Sequence, residues 1–386
     1  MTTPPTGPPT GPPTGPHAST LPPTLRLAGR PLSVVGRARV YVCGVTPYDV
    51  THLGHAATYV WVDLVDRLLR RLGVAVEVCR NVTDVDDVLF EAAGRKGEHY
   101  DRMAAVQQFW FERDMDALGV RRPAHEPRAH AYVPQVVALA AALLDRGAAY
   151  AAGGSVYLSG ADVVAAAGLT REQALEQLAG AGGRVDDPDK RDPLDQAVWQ
   201  RSAAGEPAWP SPWGPGRPGW HAECTAMALS TYGPSLDLHA GGEDLRFPHH
   251  AYEAAQAEAA TGVRPFARSW LHVGLVGLDG QKMAKSTGNL VFAADLLAQV
   301  PGPVVRTMLL DRRHDQAWDY APALLEQAGA RLDALHAAAG RPHTDDVAAR
   351  AVLDALCDGL DVPRALDVAV EAGGQAARDA VAVLGL

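Results

Sequence analysis

The sequence predicts an α/β protein built on a parallel sheet and finished by α-helices, and three observations carry that prediction. Residues 39–43 (RVYVC) are an apolar run closed by a glycine, 54–72 have helical spacing, and 74–82 read again as a strand, so together they form a strand–helix–strand unit. The alternation returns further on, with strands at 236–239 and 270–276 and helices at 249–261 and 301–310. The last stretch, 321–386, keeps helical periodicity and reads as a small bundle. With 386 residues, 47% of them hydrophobic, the chain can bury a sizeable core, and its length suggests two or three domains.

Residues 1–23 repeat the tetrapeptide TGPP and are rich in proline, a composition that cannot offset its own ordering entropy, so a disordered tail is expected. Residues 24–300 are expected to form the sheet-bearing domain, with an insertion around 100–200, and 301–386 the helical bundle. Within the insertion, 103–118 and 132–146 read as amphipathic helices and 155–158 as a short strand. Two connections rich in glycine, proline or aspartate follow, at 180–193 and 207–219, and a further glycine turn is expected at 241–242. The acidic cluster Asp84, Asp86 and Asp87 reads as a solvated loop with no catalytic part.

Composition removes several classes. The net charge of -10 argues against a general polyanion binder, whose footprint is basic. No run of about 18 apolar residues marks a membrane span, and no basic-then-apolar leader marks secretion. Four cysteines in 386 residues are too few for a disulfide scaffold, so reduced thiols and a cytoplasmic location are expected. Only four lysines occur (Lys96, Lys190, Lys282 and Lys285), and two of them fall within one loop. A compact ammonium and a guanidinium are not interchangeable, so that pair stands out in an arginine-rich chain.

Three constellations carry chemistry. His52-Leu53-Gly54-His55 opens the helix after the first strand, where free N–H groups, the positive end of the helix dipole and two imidazoles suit phosphate. Lys282 and Lys285 sit in the glycine-punctuated loop GLDGQKMAKSTGN, where two ammonium groups can neutralise charge developing on a phosphate. Cys43, Cys224, His249 and Glu253 form a candidate zinc set, with His249 and Glu253 on one helix face at i and i+4. By spacing alone, the cysteines equally fit small buried hydrophobes and the loop lysines a solvated basic turn.

The pairing of HLGH with KMAKS resembles the HIGH and KMSKS signatures of class I aminoacyl-tRNA synthetases. Together with YVCG (41–44), NVTDVDD (81–87), KRDPLD (190–195), GPGRPGWHAECTAMAL (214–229), GGEDLRFPHH (241–250) and QKMAKSTGNL (281–290), the chain resembles the cysteinyl-tRNA synthetase superfamily over about residues 35–320. The resemblance implies a Rossmann-like parallel-sheet catalytic domain of the class I type with a C-terminal helical bundle. It implies that one zinc per chain, on Cys43, Cys224, His249 and Glu253, takes the substrate thiolate. It further implies that Cys43, Gly44, Thr46, Thr58, Asn81 and Thr83 line the cysteinyl-adenylate pocket, that Trp220 walls the cysteine site, and that Gly242, Glu243, Asp244 and Val276 hold the adenosine. His52, His55, Lys282 and Lys285 are then the residues that stabilise phosphate charge when cysteine reacts with Mg-ATP.

Within the superfamily, VCGVTPYDVTHLGHAATY (42–59) and NVTDVDDVLFEAA (81–93) are more similar to the cysteine ligases of mycothiol biosynthesis, which join L-cysteine to the amine of glucosaminyl-inositol (GlcN-Ins). The 100 residues after Ser286 are enough for one helical bundle and not for the anticodon-reading domain expected of a tRNA synthetase. The alternative is a shortened cysteinyl-tRNA synthetase-like enzyme charging tRNA or another amine carrier. Small-molecule partners, no membrane and a monomer are expected. The base for amide formation stays open between the adenylate phosphate and Asp49.

Overall fold

A computed structural model describes residues 23–48, 51–283 and 288–386. The expected disorder of the tail, the phosphate role of Lys285 and the alternative base Asp49 fall outside the described residues.

A hairpin of β1 (Arg26–Leu27) and β2 (Arg30–Pro31) leads into β3 (Arg37–Val45), α1 (Leu53–Arg71) and β4 (Ala75–Val82). The second half of β3 is buried on both faces, as a central parallel strand covered by helices must be. Helix α1 is also buried nearly all round, and its inward Asp63 and Asp66 are matched one turn on by Arg67 and Arg70. Gly73, at φ +82°, turns the chain back into β4.

The insertion follows: α2 (Asp87–Lys96), α3 (Tyr100–Ala117), α4 (Val133–Asp145), β5 (Ala149–Ala152), β6 (Ser155–Leu158), α5 (Ala161–Ala167), α6 (Arg171–Gly180), β7 (Gln196–Arg201) and β8 (Gly216–Pro218). Strands β5 to β8 pair antiparallel in chain order, a four-stranded sheet of which the sequence suggested only β6. The parallel sheet resumes through α7 (Trp220–Tyr232), β9 (Leu238–Gly242), α8 (Ala251–Thr261) and β10 (Trp270–Val273). Its order is β10-β9-β3-β4, all parallel. From β3 the chain steps to β4 on one side, whereas β9 leads to β10 on the other. The strand order therefore reverses between β3 and β9, and ligands of open α/β sheets bind beyond the strand ends at such a point.

Three local expectations are corrected. Gly241 and Gly242 end β9 and do not form a turn, because they pair with His272 and Val273 of the neighbouring parallel strand; a Cβ on Gly241 would stand 2.8 Å from the His250 ring. The strand expected over 270–276 breaks at Gly274, where a Cβ would lie 2.2 Å from the Gln316 carbonyl oxygen. Beyond it, β11 (Val276–Leu278) leaves the main sheet to pair with β12 (Gln281–Lys282) and β13 (Trp318–Asp319). The acidic loop is only partly solvated, and each carboxylate is held: Asp84 is buried against His130, Asp86 caps α2, and Asp87 takes both Nε and Nη2 of Arg217.

Helices α9 (Ala293–Leu297) and α10 (Gly302–Leu310) precede α11 (Ala323–Ala339), α12 (Asp346–Cys357), α13 (Val362–Ala372) and α14 (Gly374–Leu384). These C-terminal helices share one hydrophobic core with the sheet and α1, running from Val40 through Leu64 and Leu310 to Leu335 and Leu366. A second core, around Val136, Leu158 and Trp199, holds the insertion together. Among the described residues, no helix is long and apolar enough to cross a membrane.

Candidate active site and metal centre

A cleft of about 620 Å³ opens beyond the ends of β3 and β9, at the N-terminus of α1. Its wall gathers most of the residues singled out in the sequence. Cys43, Gly44 and Thr46 come from β3 and the turn after it, Thr83 from the end of β4, and His52, His55 and Thr58 from the start of α1. The opposite side is formed by Trp220, Gly242, Asp244, Val276 and Lys282.

His52 caps α1. Its Nδ1 accepts from the Gly54 N–H at 3.1 Å, which places the proton of the neutral ring on Nε2 and makes that atom a donor. The His55 ring stacks on it with centroids 3.8 Å apart. Lys282, at the end of β12, reaches the same end of the cleft, its Nζ 2.8 Å from Asp244 Oδ2. Gly44 has a packing reason for its identity: a Cβ there would lie 1.4 Å from the Asn81 carbonyl oxygen. Thr46 and Thr83 share a hydroxyl–hydroxyl hydrogen bond of 2.9 Å.

Three of the singled-out residues do not line the cleft. Asn81 lies fully buried beneath it, accepting the Gly44 N–H at 2.6 Å and donating to Cys224 Sγ at 3.1 Å. Glu253 is also fully buried, behind the cysteines. Glu243 turns away, and its carboxylate pairs with both Nε and Nη2 of Arg246.

At the floor, Cys43, Cys224, His249 and Glu253 bring one donor atom each within 4.8 Å of one another, all four buried. His249 Nε2 is 3.3 Å from Cys224 Sγ and 2.8 Å from Glu253 Oε1, and Cys43 Sγ is 3.3 Å from the same carboxylate oxygen. Burial opposes charge here, yet the hydrogen bond from Cys43 and the neighbouring His249 bring the Cys224 thiol down to about 6. Burial would likewise depress His249, but Glu253 and Cys224 outweigh it and raise the imidazole to about 10. Burial pushes the Cys43 thiol up. Two soft sulfurs, an imidazole and a carboxylate in a dry pocket fit a tetrahedral zinc site. A second grouping replaces Cys224 and His249 with His239 and His250. The first is the better site because Cys43, Cys224 and His249 all face the cleft, whereas neither His239 nor His250 does.

Supporting residues escaped the sequence reading. His239 Nε2 lies 3.0 Å from Glu253 Oε2, and His221 Nδ1 lies 2.9 Å from His249 Nδ1, so both acidic and imidazole ligands are oriented from behind. Tyr59 donates to the Cys43 carbonyl and Tyr41 to that of Cys224. The Trp220-His221 pair was the available signal for His221, since adjacent residues at a helix start can face both ligand and support, and no local signal marked His239.

The class I (C) tRNA-synthetase catalytic-domain family matches residues 32–330. Mycobacterium tuberculosis methionyl-tRNA synthetase in complex with methionyl-adenylate superposes with a TM-score of 0.62 at 16% identity, covering 91% of this chain and 82% of that one. Another structure of that synthetase, bound by methionyl-adenylate, gives 0.57 at 17% identity, over 90% and 82%. The fold is thus that of a class I synthetase catalytic domain. At higher identity, the chain is 44% identical over 343 residues to the L-cysteine:1D-myo-inositol 2-amino-2-deoxy-alpha-D-glucopyranoside ligase of Frankia casuarinae, covering 87% of this chain and 74% of that one. To the ligase of the same name from Frankia alni it is 45% identical over 354 residues, covering 90% and 86%, and to that from Mycolicibacterium vanbaalenii 45% over 350, covering 87% and 81%. The chain belongs to the class I (C) tRNA-synthetase family and, within it, to these cysteine:amino-sugar ligases.

Proposed function

We propose that this protein is an ATP-dependent, AMP-forming ligase that activates L-cysteine as cysteinyl-adenylate and transfers it to the amine of GlcN-Ins, the cysteine-adding step of mycothiol biosynthesis. The observation that carries the reading is the cysteine–histidine–glutamate floor directly under a cleft whose rim is His52, His55 and Lys282. Its chemistry distinguishes a thiol from a hydroxyl, which an apolar pocket does poorly.

In this reading Cys43, Cys224, His249 and Glu253 hold zinc, which supplies a soft Lewis acid for the substrate thiolate. Trp220 closes the cysteine site, its ring 4.2 Å from that of His249. Cys43, Gly44, Thr46, Thr58 and Thr83 line the adenylate pocket, with Asn81 holding the Gly44 backbone from below. Gly242, Asp244 and Val276 receive the adenosine, and Glu243 is left to Arg246.

The cysteine carboxylate attacks the α-phosphorus of Mg-ATP, and pyrophosphate leaves. His52 Nε2, His55 and Lys282, with Lys285 from the same loop, stabilise the charge that spreads over the phosphates, and the fixed orientation of the two substrates supplies much of the rate. The acceptor amine then attacks the carbonyl carbon. The C–N bond forms, the C–O bond to phosphate breaks with its electron pair on AMP, and the departing phosphate takes the amine's proton. In this reading the protein works in the cytoplasm as a monomer. Its working parts are the adenylation domain and the helical bundle packed on it.

The test is product formation from ATP and cysteine with GlcN-Ins and cysteine tRNA supplied separately. Amide formation with the sugar and no charged tRNA is expected. Charged tRNA without amide would replace the reading with that of a synthetase.

A further inference from the structure

A second chamber, of about 420 Å³, lies beside the adenylate cleft, between the antiparallel sheet and the N-terminal end of α2. Thr46, Tyr48, Val88 and Trp220 line both chambers, so they are two rooms with one shared wall. None of the adenylation chemistry uses the second one. Its size is that of a small-molecule site, for which about 300–1,000 Å³ is usual.

We propose that this chamber is the acceptor site and that it holds a polyhydroxylated amine, an amino sugar with its attached polyol, with the amine directed through the shared wall. The inference rests on the ligase reading above and adds to it the place where the acceptor binds.

Two observations carry it. The first is Gln196 on β7, which lines the chamber while only 7% of it is exposed. Its Nε2 is committed to the carbonyls of Leu194 and Asp195, at 3.3 and 2.8 Å, and this pins the amide and leaves Oε1 as the acceptor presented to the chamber. A buried, oriented amide oxygen is the type of group that selects a hydroxyl or ammonium donor and penalises its absence.

The second is the balance of the lining. Asp187 and Asp189 stand on the loop that closes the chamber, Asp187 already fixed by the Tyr157 hydroxyl at 3.1 Å. Across from them is Asp86, at the start of α2 next to the shared residue Val88. The lining also carries three cations: Lys190 is turned onto the Arg184 carbonyl, and Arg184 and Arg201 are exposed to solvent. Acceptor oxygens therefore face the chamber from two sides, between the aromatic side chains of Tyr48, Tyr157 and Trp220. Carboxylate and amide oxygens beside aromatic rings match the alternating O–H edges and C–H faces of a sugar.

The experiment uses the full chain with two variants, Gln196→Leu and Asp189→Asn, and reads two activities. Cysteine-dependent ATP–pyrophosphate exchange reports activation alone, and amide formation with GlcN-Ins reports the whole reaction. The expected result is an acceptor KM raised about tenfold or more in each variant, the effect of one lost hydrogen bond to a buried group, with exchange within about twofold of the parent. An acceptor KM unchanged in Asp189→Asn would overturn the proposal, and this partly exposed loop position decides the matter if Gln196→Leu does not fold. Loss of exchange in both variants would also overturn it, by making the chamber part of the activation site. Exchange without any amide from the parent protein would instead remove the ligase reading, and this inference with it.

Discussion

The guanidinium of Arg306, on α10, is hydrogen-bonded to the carboxylate of Asp63, on α1, and both side chains are sealed from solvent. The same guanidinium donates to the carbonyls of Leu118, after α3, and Leu384, at the end of α14. One side chain thus joins the helix that opens the active site to the last helix of the chain. Asp63 also receives Arg67 Nε and the Arg121 N–H. Removing Arg306 leaves Asp63 with Arg67 as its remaining cation but takes the donor from the buried Leu118 and Leu384 carbonyls, at about 1–3 kcal/mol. Arg306→Met is therefore expected to lower the unfolding free energy, read from urea denaturation, by an amount of that order, with α1 and the C-terminal helices loosening together. A variant as stable as the parent would show that the shared apolar core, not this pair, fastens the helices.

The four cysteines divide by surroundings. Cys43 and Cys224 face the cleft floor, whereas burial pushes Cys79 up to about 12 and Cys357 up to about 11, so these two behave as inert apolar fillers. Elemental analysis is expected to find about one zinc in Cys79→Ser and Cys357→Ser, as in the parent, and well under half of that in Cys224→Ala, second-sphere losses being about 10–100-fold in affinity and direct ligand losses greater. Zinc retained at full stoichiometry in Cys224→Ala would move the site to the alternative histidine grouping.

The parts legible in the sequence are those whose physics is local. The β3–α1–β4 unit shows itself through an apolar run, a helical period and a second apolar run. The antiparallel sheet shows only its strand β6, because β5 is four residues long and β8 carries Gly216 and Pro218, which read as loop. Asp87 reads as solvated because its partner Arg217 is 130 positions away. The metal set is a similar case. His249 and Glu253 share a helix face, but nothing in their spacing draws Cys43 to them, and the motif resemblance supplied that link. Glu243 shows the converse: a residue in the right motif whose side chain takes a nearer partner, Arg246.

Lys282 separates stability from catalysis. Its ion pair with Asp244 is about half exposed on both sides, and such pairs contribute little to folding. Lys282→Ala is expected to melt within about a degree of the parent, since an exposed pair is worth near 0–1 kcal/mol. Cysteine-dependent ATP–pyrophosphate exchange is expected to fall about 10²–10³-fold, the usual loss of one preorganised charge-stabilising donor. A rate within about threefold of the parent would take Lys282 out of the phosphate site.

A pH effect on stability follows from the cluster of Arg80, Glu112, Glu126 and Arg122 on the far side of β4. Partial burial, opposed by the Arg80 charge and assisted by the neighbouring Glu126, raises Glu112 from 4.5 to about 7. The folded protein thus holds a proton on Glu112 that the unfolded chain releases from about pH 4.5 upward. Between these two values the native state binds more protons than the unfolded state, so this group's contribution falls as pH rises and is smallest above about 7. Glu112 pairs with Arg80 and Arg122, and Glu126 also pairs with Arg80, so the single proton lets two carboxylates share one buried guanidinium. Glu112→Gln carries the neutral form at every pH. Urea midpoints taken from pH 4.5 to 7.5 are expected to decline less steeply for Glu112→Gln than for the parent, the two curves separating most near pH 7. Parallel curves would mean that Glu112 ionises in the native state as it does in the unfolded chain.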